Sequence, residues 1–123
     1  MILIDTSVWI EHLRWGDSTL ARLLNAGQAL AHPFVIGELA LGNLRQRQLI
    51  RDALGDLPVT FVASDREILH FIGRYRLFES GIGYVDAHLL AAAQLTAGTT
   101  LWTRDKRLHA VADRLGLAMD PTA

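Results

Sequence analysis

The chain has no cysteine, a single lysine, three prolines and no long apolar run. Without thiols it can form neither a disulfide nor a thiolate zinc site, a composition that suits a reducing, cytoplasmic setting. The longest apolar stretch, Leu89-Leu90-Ala91-Ala92-Ala93, falls far short of the roughly 20 residues that cross a bilayer. No basic segment leads into an apolar core at the N-terminus, so neither a membrane span nor a signal peptide is expected. The five histidines, at 12, 32, 70, 88 and 109, include no i,i+4 pair of the zinc-protease kind, and no Gly-x-Ser-x-Gly elbow serves a hydrolase triad. Charge of one sign is not in excess either: 12 basic and 13 acidic residues leave a net charge of −1.

What is present is a chain of 123 residues, half of them apolar, enough for one domain over 1–123 with a real core. No linker, repeat or low-complexity segment divides it. Short apolar runs alternate with helical patterns. Strands are expected at Ile2 to Ile4, Ala29 to His32, Val59 to Val62, Thr99 to Thr103 and Gly116 to Met119. Helices are expected from about Ser7 to Leu13, with Thr6 or Ser7 as N-cap, and from Ser18 to Asn25, stopping before Gly27. Others run from Pro33 to Leu41, Arg45 to Gly55, Ser64 to Phe78, Tyr84 to Ala97 and Lys106 to Leu115. This alternation is the pattern of an α/β domain with a parallel sheet of about five strands between two helical layers.

Against that frame four carboxylates are awkwardly placed. Asp5 directly follows the first apolar strand, where ligands of open α/β sheets gather. Asp86 shares a helix face with Leu89, Leu90 and Ala93, which aims it inward; capping of its own helix is the plain alternative. Glu38 lies beside Val35 and Leu41 at the edge of an apolar stripe, where a salt bridge to an arginine would also account for it. Asp105 follows the strand that ends at Thr103 and alone reads as a turn aspartate. Asp5-Thr6 and Thr103/Asp105 pair hydroxyl with acid at two strand ends on one sheet edge. Brought together, four such charges repel unless a divalent cation sits among them. Neutralising them would turn the net charge of −1 into +3. Eleven of the 12 basic residues are arginine, and several fall in clusters: Arg45/Arg47/Arg51, Arg74/Arg76 and Arg104/Lys106/Arg107. Arginine suits phosphate oxygens, which points to a polyanionic ligand with Arg45, Arg74 and Arg104 as its candidate contacts. Solvated helix faces are the simpler account of each cluster. Gly81-Ile82-Gly83 opens like a dinucleotide loop, yet the third glycine position holds Asp86 and no strand precedes it.

Asp5-Thr6-Ser7, Glu38 within Ile36-Gly37-Glu38-Leu39-Ala40-Leu41-Gly42, Gly83-Tyr84-Val85-Asp86-Ala87-His88-Leu89-Leu90-Ala91-Ala92-Ala93 and Thr103-Arg104-Asp105 together resemble the PIN-domain family. The pattern is most similar to the VapC toxins of bacterial toxin–antitoxin systems and covers essentially the whole chain. The resemblance implies a flavodoxin-like three-layer α/β/α fold and a Mg²⁺-dependent endoribonuclease, with Mn²⁺ able to substitute, acting on structured RNA such as tRNA or rRNA. It maps the family's acidic, metal-binding positions onto Asp5, Glu38, Asp86 and Asp105, and its supporting hydroxyls onto Thr6 and Thr103. It further implies 5′-phosphate and 3′-hydroxyl products, a homodimer, and an antitoxin whose C-terminal segment blocks the site. Two other readings share this architecture or its metal. In one, Asp5 is the phosphoacceptor of a receiver or phosphatase, although Ser7 stands where the phosphatase needs its second acid. In the other, the chain is a non-enzymatic RNA- or protein-binding module with a structural metal.

Overall fold

The computed structural model describes residues 1–42, 47–48, 51–52 and 54–119. Its centre is a parallel sheet of three strands, β1 (Ile2–Ile4), β2 (Ala29–Leu30) and β3 (Thr100–Trp102), in the order β2-β1-β3. Register is set by Leu3, which faces Leu30 on one side and Leu101 on the other. Single bridges, Ala31 to Val59 and Leu101 to Ala118, extend the sheet at each edge. The expected strands at Val59 to Val62 and Gly116 to Met119 therefore shrink to one bridging residue each. Val59, Phe61 and Val62 are exposed, and Pro58 ahead of them has no N–H to give a ladder, as befits a blunted edge.

Six helices are fully described: α1 (Thr6–Trp15), α2 (Ser18–Asn25), α3 (Pro33–Ala40), α4 (Asp65–Arg74), α5 (Tyr84–Leu95) and α6 (Lys106–Arg114). The helix expected over 45–55 falls partly outside the described residues; Arg47, Gln48, Arg51, Asp52 and Leu54 are helical. Helix α4 ends four residues before the expected Phe78, because Arg76 adopts a left-handed φ of 54°, which a helix cannot continue through. Its start is firm: the Ser64 hydroxyl accepts from the Glu67 amide and the Glu67 carboxylate from the Ser64 amide, a reciprocal cap.

The crossover from β1 to β2 and the later return to β3 advance in opposite directions. Right-handed connections then place α1 to α3 on one face of the sheet and α5 on the other. Packing agrees, with α1 against α3, α4 against α5, and α5 against β3. Helix α5 is buried through seven successive residues, Ala87 to Ala93, as an apolar-all-round helix in the middle of a layer must be. Its alanines let it lie close on β3. Because the strand order turns at β1, a crevice opens beyond the carboxyl ends of β1 and β3, the position where such sheets bind ligands.

Candidate active site

Asp5 leaves β1 into this crevice and is only 7% exposed. Its Oδ2 accepts two hydroxyl protons, from Ser7 Oγ and from Thr103 Oγ1 at the end of β3, each at 2.7 Å. Both hydroxyls are then free to accept. The Ser7 oxygen takes the Arg104 amide at 2.9 Å, and the Thr103 oxygen takes the Asp105 amide at 3.0 Å. One carboxylate and two hydroxyls thus stitch β1 to β3 and fix the loop carrying Asp105. The backbone N-cap of α1 is Asp5 itself, with no side-chain cap, and not Thr6 or Ser7 as the sequence suggested. Those hydroxyls serve acids instead: Thr6 Oγ1 donates to Glu38 Oε1 at 3.2 Å. Ser7 is not among the site residues expected from the sequence, which offered it only as a helix cap beside Asp5 and Thr6.

Asp86 is half-buried in the first turn of α5, and its Oδ2 accepts the Gly83 amide at 3.1 Å. The capping expected as the plain alternative is therefore present, on a carboxylate that is half-buried. Asp105 caps α6 by accepting the Leu108 amide on Oδ1 at 2.9 Å, the turn role its sequence position suggests. Glu38 is exposed on α3 and engages Thr6, not an arginine.

Electrostatics tie the four together. Burial raises the Asp86 pKa; the Gly83 amide opposes this, while the charges of Asp5 and Asp105 push it further up. Burial also raises that of Glu38, against the Thr6 hydrogen bond and with the repulsion of Asp5 and Asp86. Each acid therefore stands within electrostatic reach of others on separate elements. Among the described residues no three His, Asp or Glu side chains stand close enough to enclose a metal ion. Each carboxylate accepts from a hydroxyl or amide donor: Asp5 from Ser7 and Thr103, Glu38 from Thr6, Asp86 from Gly83 and Asp105 from Leu108. The donor set suits a hard cation: all oxygen, with no imidazole among them. The N-termini of α1, α5 and α6 also meet at this edge and favour a bound anion such as phosphate.

The candidate cations lie elsewhere. Arg104 is committed to Glu11 and Asp17, at 2.7 Å from each, and its guanidinium covers the Trp102 ring. Arg74 packs on Tyr75 and lines a cavity with Gln94 and Leu95. Gln94 is eight residues beyond Asp86, about 12 Å along α5, so Arg74 belongs to the far end of the layer. Arg45 lies outside the described residues.

The PIN domain model matches residues 2–114, and the chain belongs to the PIN-domain family. Over 119 residues it is 50% identical to "Ribonuclease VapC32" of Mycobacterium tuberculosis, covering 97% of this chain and 96% of that one. Among solved structures it is similar to a toxin-antitoxin complex from Klebsiella pneumoniae, with 25% identity, a TM-score of 0.72 and 98% of each chain covered. FitAcB from Neisseria gonorrhoeae shares the fold at 21% identity, with a TM-score of 0.62 over 99% of both chains. No helix among the described residues is long and apolar enough to cross a membrane.

Proposed function

We propose that the chain is a metal-dependent endoribonuclease, the toxin of a toxin–antitoxin pair, cutting structured RNA such as tRNA or rRNA in the cytoplasm. Half its residues are shared with a protein named a ribonuclease. The observation that carries the reading is that Asp5, Glu38, Asp86 and Asp105 stand within electrostatic reach of one another at the switch point of the sheet, where burial first, and then the charges of neighbouring acids, raise the pKa values of Asp86 and Glu38.

Asp5, Asp86, Asp105 and Glu38 would hold Mg²⁺ or Mn²⁺. The chemistry such a cation supplies when bound is Lewis acidity toward a phosphate oxygen and acidification of a water. The protein contributes placement. Ser7 and Thr103 donate to one oxygen of Asp5 and so fix its carboxylate plane between two strands. Thr6 steadies Glu38, and the Gly83 amide steadies Asp86. Three helix N-termini favour the scissile phosphate at this edge. Attack by water leaves 5′-phosphate and 3′-hydroxyl ends.

The partner we propose is an antitoxin whose terminal segment covers the acids, with the toxin itself a homodimer; a structural neighbour is a toxin-antitoxin complex. The test is cleavage of total RNA with end mapping. EDTA should abolish cutting, and Mg²⁺ or Mn²⁺ should restore it with 5′-phosphate ends; undiminished cutting in excess chelator sinks the mechanism.

A further inference from the structure

A groove of about 550 Å³ runs between the 76–80 loop and α6, lined by Arg76, Phe78, Lys106, Arg107 and Arg114, with Glu79 as its acid. Lys106 and Arg107 directly follow Asp105, so its upper end adjoins the acidic crevice. Lys106/Arg107, Ala110/Val111 and Arg114 form one face of α6 at helical spacing, a track of about 12 Å. Among the described residues the only ion pairs are those of Arg104; the four groove cations have none. They are held in place by other means. Arg114 Nη1 donates to the Tyr75 carbonyl at 3.1 Å, and Arg76 lies over the Phe78 ring.

Arg107 lies against Gly81: a Cβ there would stand 3.0 Å from its Cδ, and Gly81 has φ +82°. The positive φ favours glycine here, and the missing Cβ lets the Arg107 side chain rest on the backbone. Arg76 and Glu79 hold left-handed φ values of 54° and 67°, uncommon strain for non-glycine residues and a pattern that collects at functional loops. Phe78, 55% exposed, offers an aromatic face among unpaired cations, the combination that binds single-stranded nucleic acid by stacking and phosphate contact.

We propose that this groove holds a single-stranded segment of RNA flanking the cut, with phosphates on Lys106, Arg107 and Arg114 and a base on Phe78. This rests on the ribonuclease reading above. The probe is a fluorescein-labelled single-stranded RNA oligonucleotide, its binding followed by anisotropy against salt in EDTA so that nothing is cut. The double variant Lys106→Gln/Arg107→Gln should bind at least about tenfold more weakly, with a salt slope smaller by about 0.7 for each lost contact. Phe78→Leu should weaken binding about tenfold at unchanged slope. Gly81→Ala should behave like loss of Arg107, whereas Arg107→Lys retains the slope. If the wild type neither binds nor cuts RNA, the ribonuclease reading fails and the groove falls with it. If it binds and cuts RNA while the groove variants keep its affinity and slope, the groove alone is overturned. Variants that lose affinity for a poly-glutamate peptide but not for RNA would assign the groove to an acidic protein and equally overturn the proposal.

Discussion

Two polar regions of this molecule contain buried titratable groups, Asp5 in one and His32 and His88 in the other, and they resolve the same difficulty in opposite ways. In the acidic crevice every carboxylate has a hydroxyl or amide donor on one oxygen. In the other, His32 and His88 are buried among rings: Phe34 lies 5.0 Å from His32 and 4.8 Å from His88, and Tyr84 lies 4.8 Å from His88, all edge-on. His32 caps α3 by accepting the Phe34 amide on Nδ1, which places its proton on Nε2. That nitrogen and His88 Nδ1 have no hydrogen-bond partner among the described residues. Burial, then the neighbouring His88, lowers the His32 pKa to about 4. Burial lowers His88 as well, with Asp65 opposing. The histidines are kept neutral and serve packing. The acids, beside a crevice and with donors fixing their geometry, are equipped to keep a charge once a counterion arrives. Burial alone does not make a titratable group functional; what surrounds it decides.

Breaking the acidic side should have the largest effect. Asp5→Asn and Asp86→Asn should each cut RNA cleavage at least 10²–10³-fold, the order expected for losing one fixed charge at a reacting centre. Both should stay folded, and Asp86→Asn should be slightly more stable, since a neutral amide escapes the burial cost and the repulsion from Asp5 and Asp105 that raise this pKa. Wild-type cleavage rates in either variant would refute the site.

The histidine side is tested by pH. An unfolded imidazole titrates near 6.5 and folded His32 near 4, so between these values the unfolded chain binds more protons. Stability should fall as pH drops from 6.5 to 4, by about 3 kcal/mol. His32→Phe should flatten this dependence in urea melts, while losing about 1 kcal/mol at neutral pH with the cap. Asp86 acts with opposite sign. Its raised pKa makes stability fall as pH rises through the carboxylate range, and Asp86→Asn should remove that slope. A variant series in which both slopes had the same sign would erase the contrast between the regions.

Smaller still is Ser7→Ala, which leaves Asp5 one hydroxyl donor and the Arg104 amide no acceptor. Cleavage should drop by roughly ten- to a hundredfold, as for a hydrogen bond to a charged group, with RNA affinity unchanged. Arg74→Ala, at the far end of α5, should leave affinity and cleavage unaltered. Arg104→Ala should cost no more than about 1 kcal/mol of stability, because its pairs with Glu11 and Asp17 are partly exposed; RNA titration and cleavage assays check the Arg74 variant and urea melts the Arg104 variant.

Much of the arrangement was legible in the residue order. Helix α2 runs from Ser18 to Asn25 as its pattern dictates, and α5 starts at Tyr84, because apolar spacing and glycine punctuation are local properties. Placing Asp5 and Thr103 at one sheet edge needed only parallel strands. The edge strands failed because a run such as Val59 to Val62 carries strand propensity whether or not a neighbour exists to pair with it. The partners of Arg104 were hidden for the opposite reason: nothing in Thr103-Arg104-Asp105 shows that Glu11 and Asp17, 93 and 87 positions away, take its guanidinium.

The sequence by itself determined the α/β alternation, the four acids and the PIN-domain family, since these rest on short-range periodicity and on residue types at fixed spacing. Only the tertiary structure decided that Ser7 and Thr103 share one oxygen of Asp5. Only it decided that Arg74 is remote, and that Arg107 rests on Gly81 beside an exposed Phe78. Those facts depend on which distant segments meet, and hydrogen bonding, repulsion and close packing act through space whatever the separation along the chain.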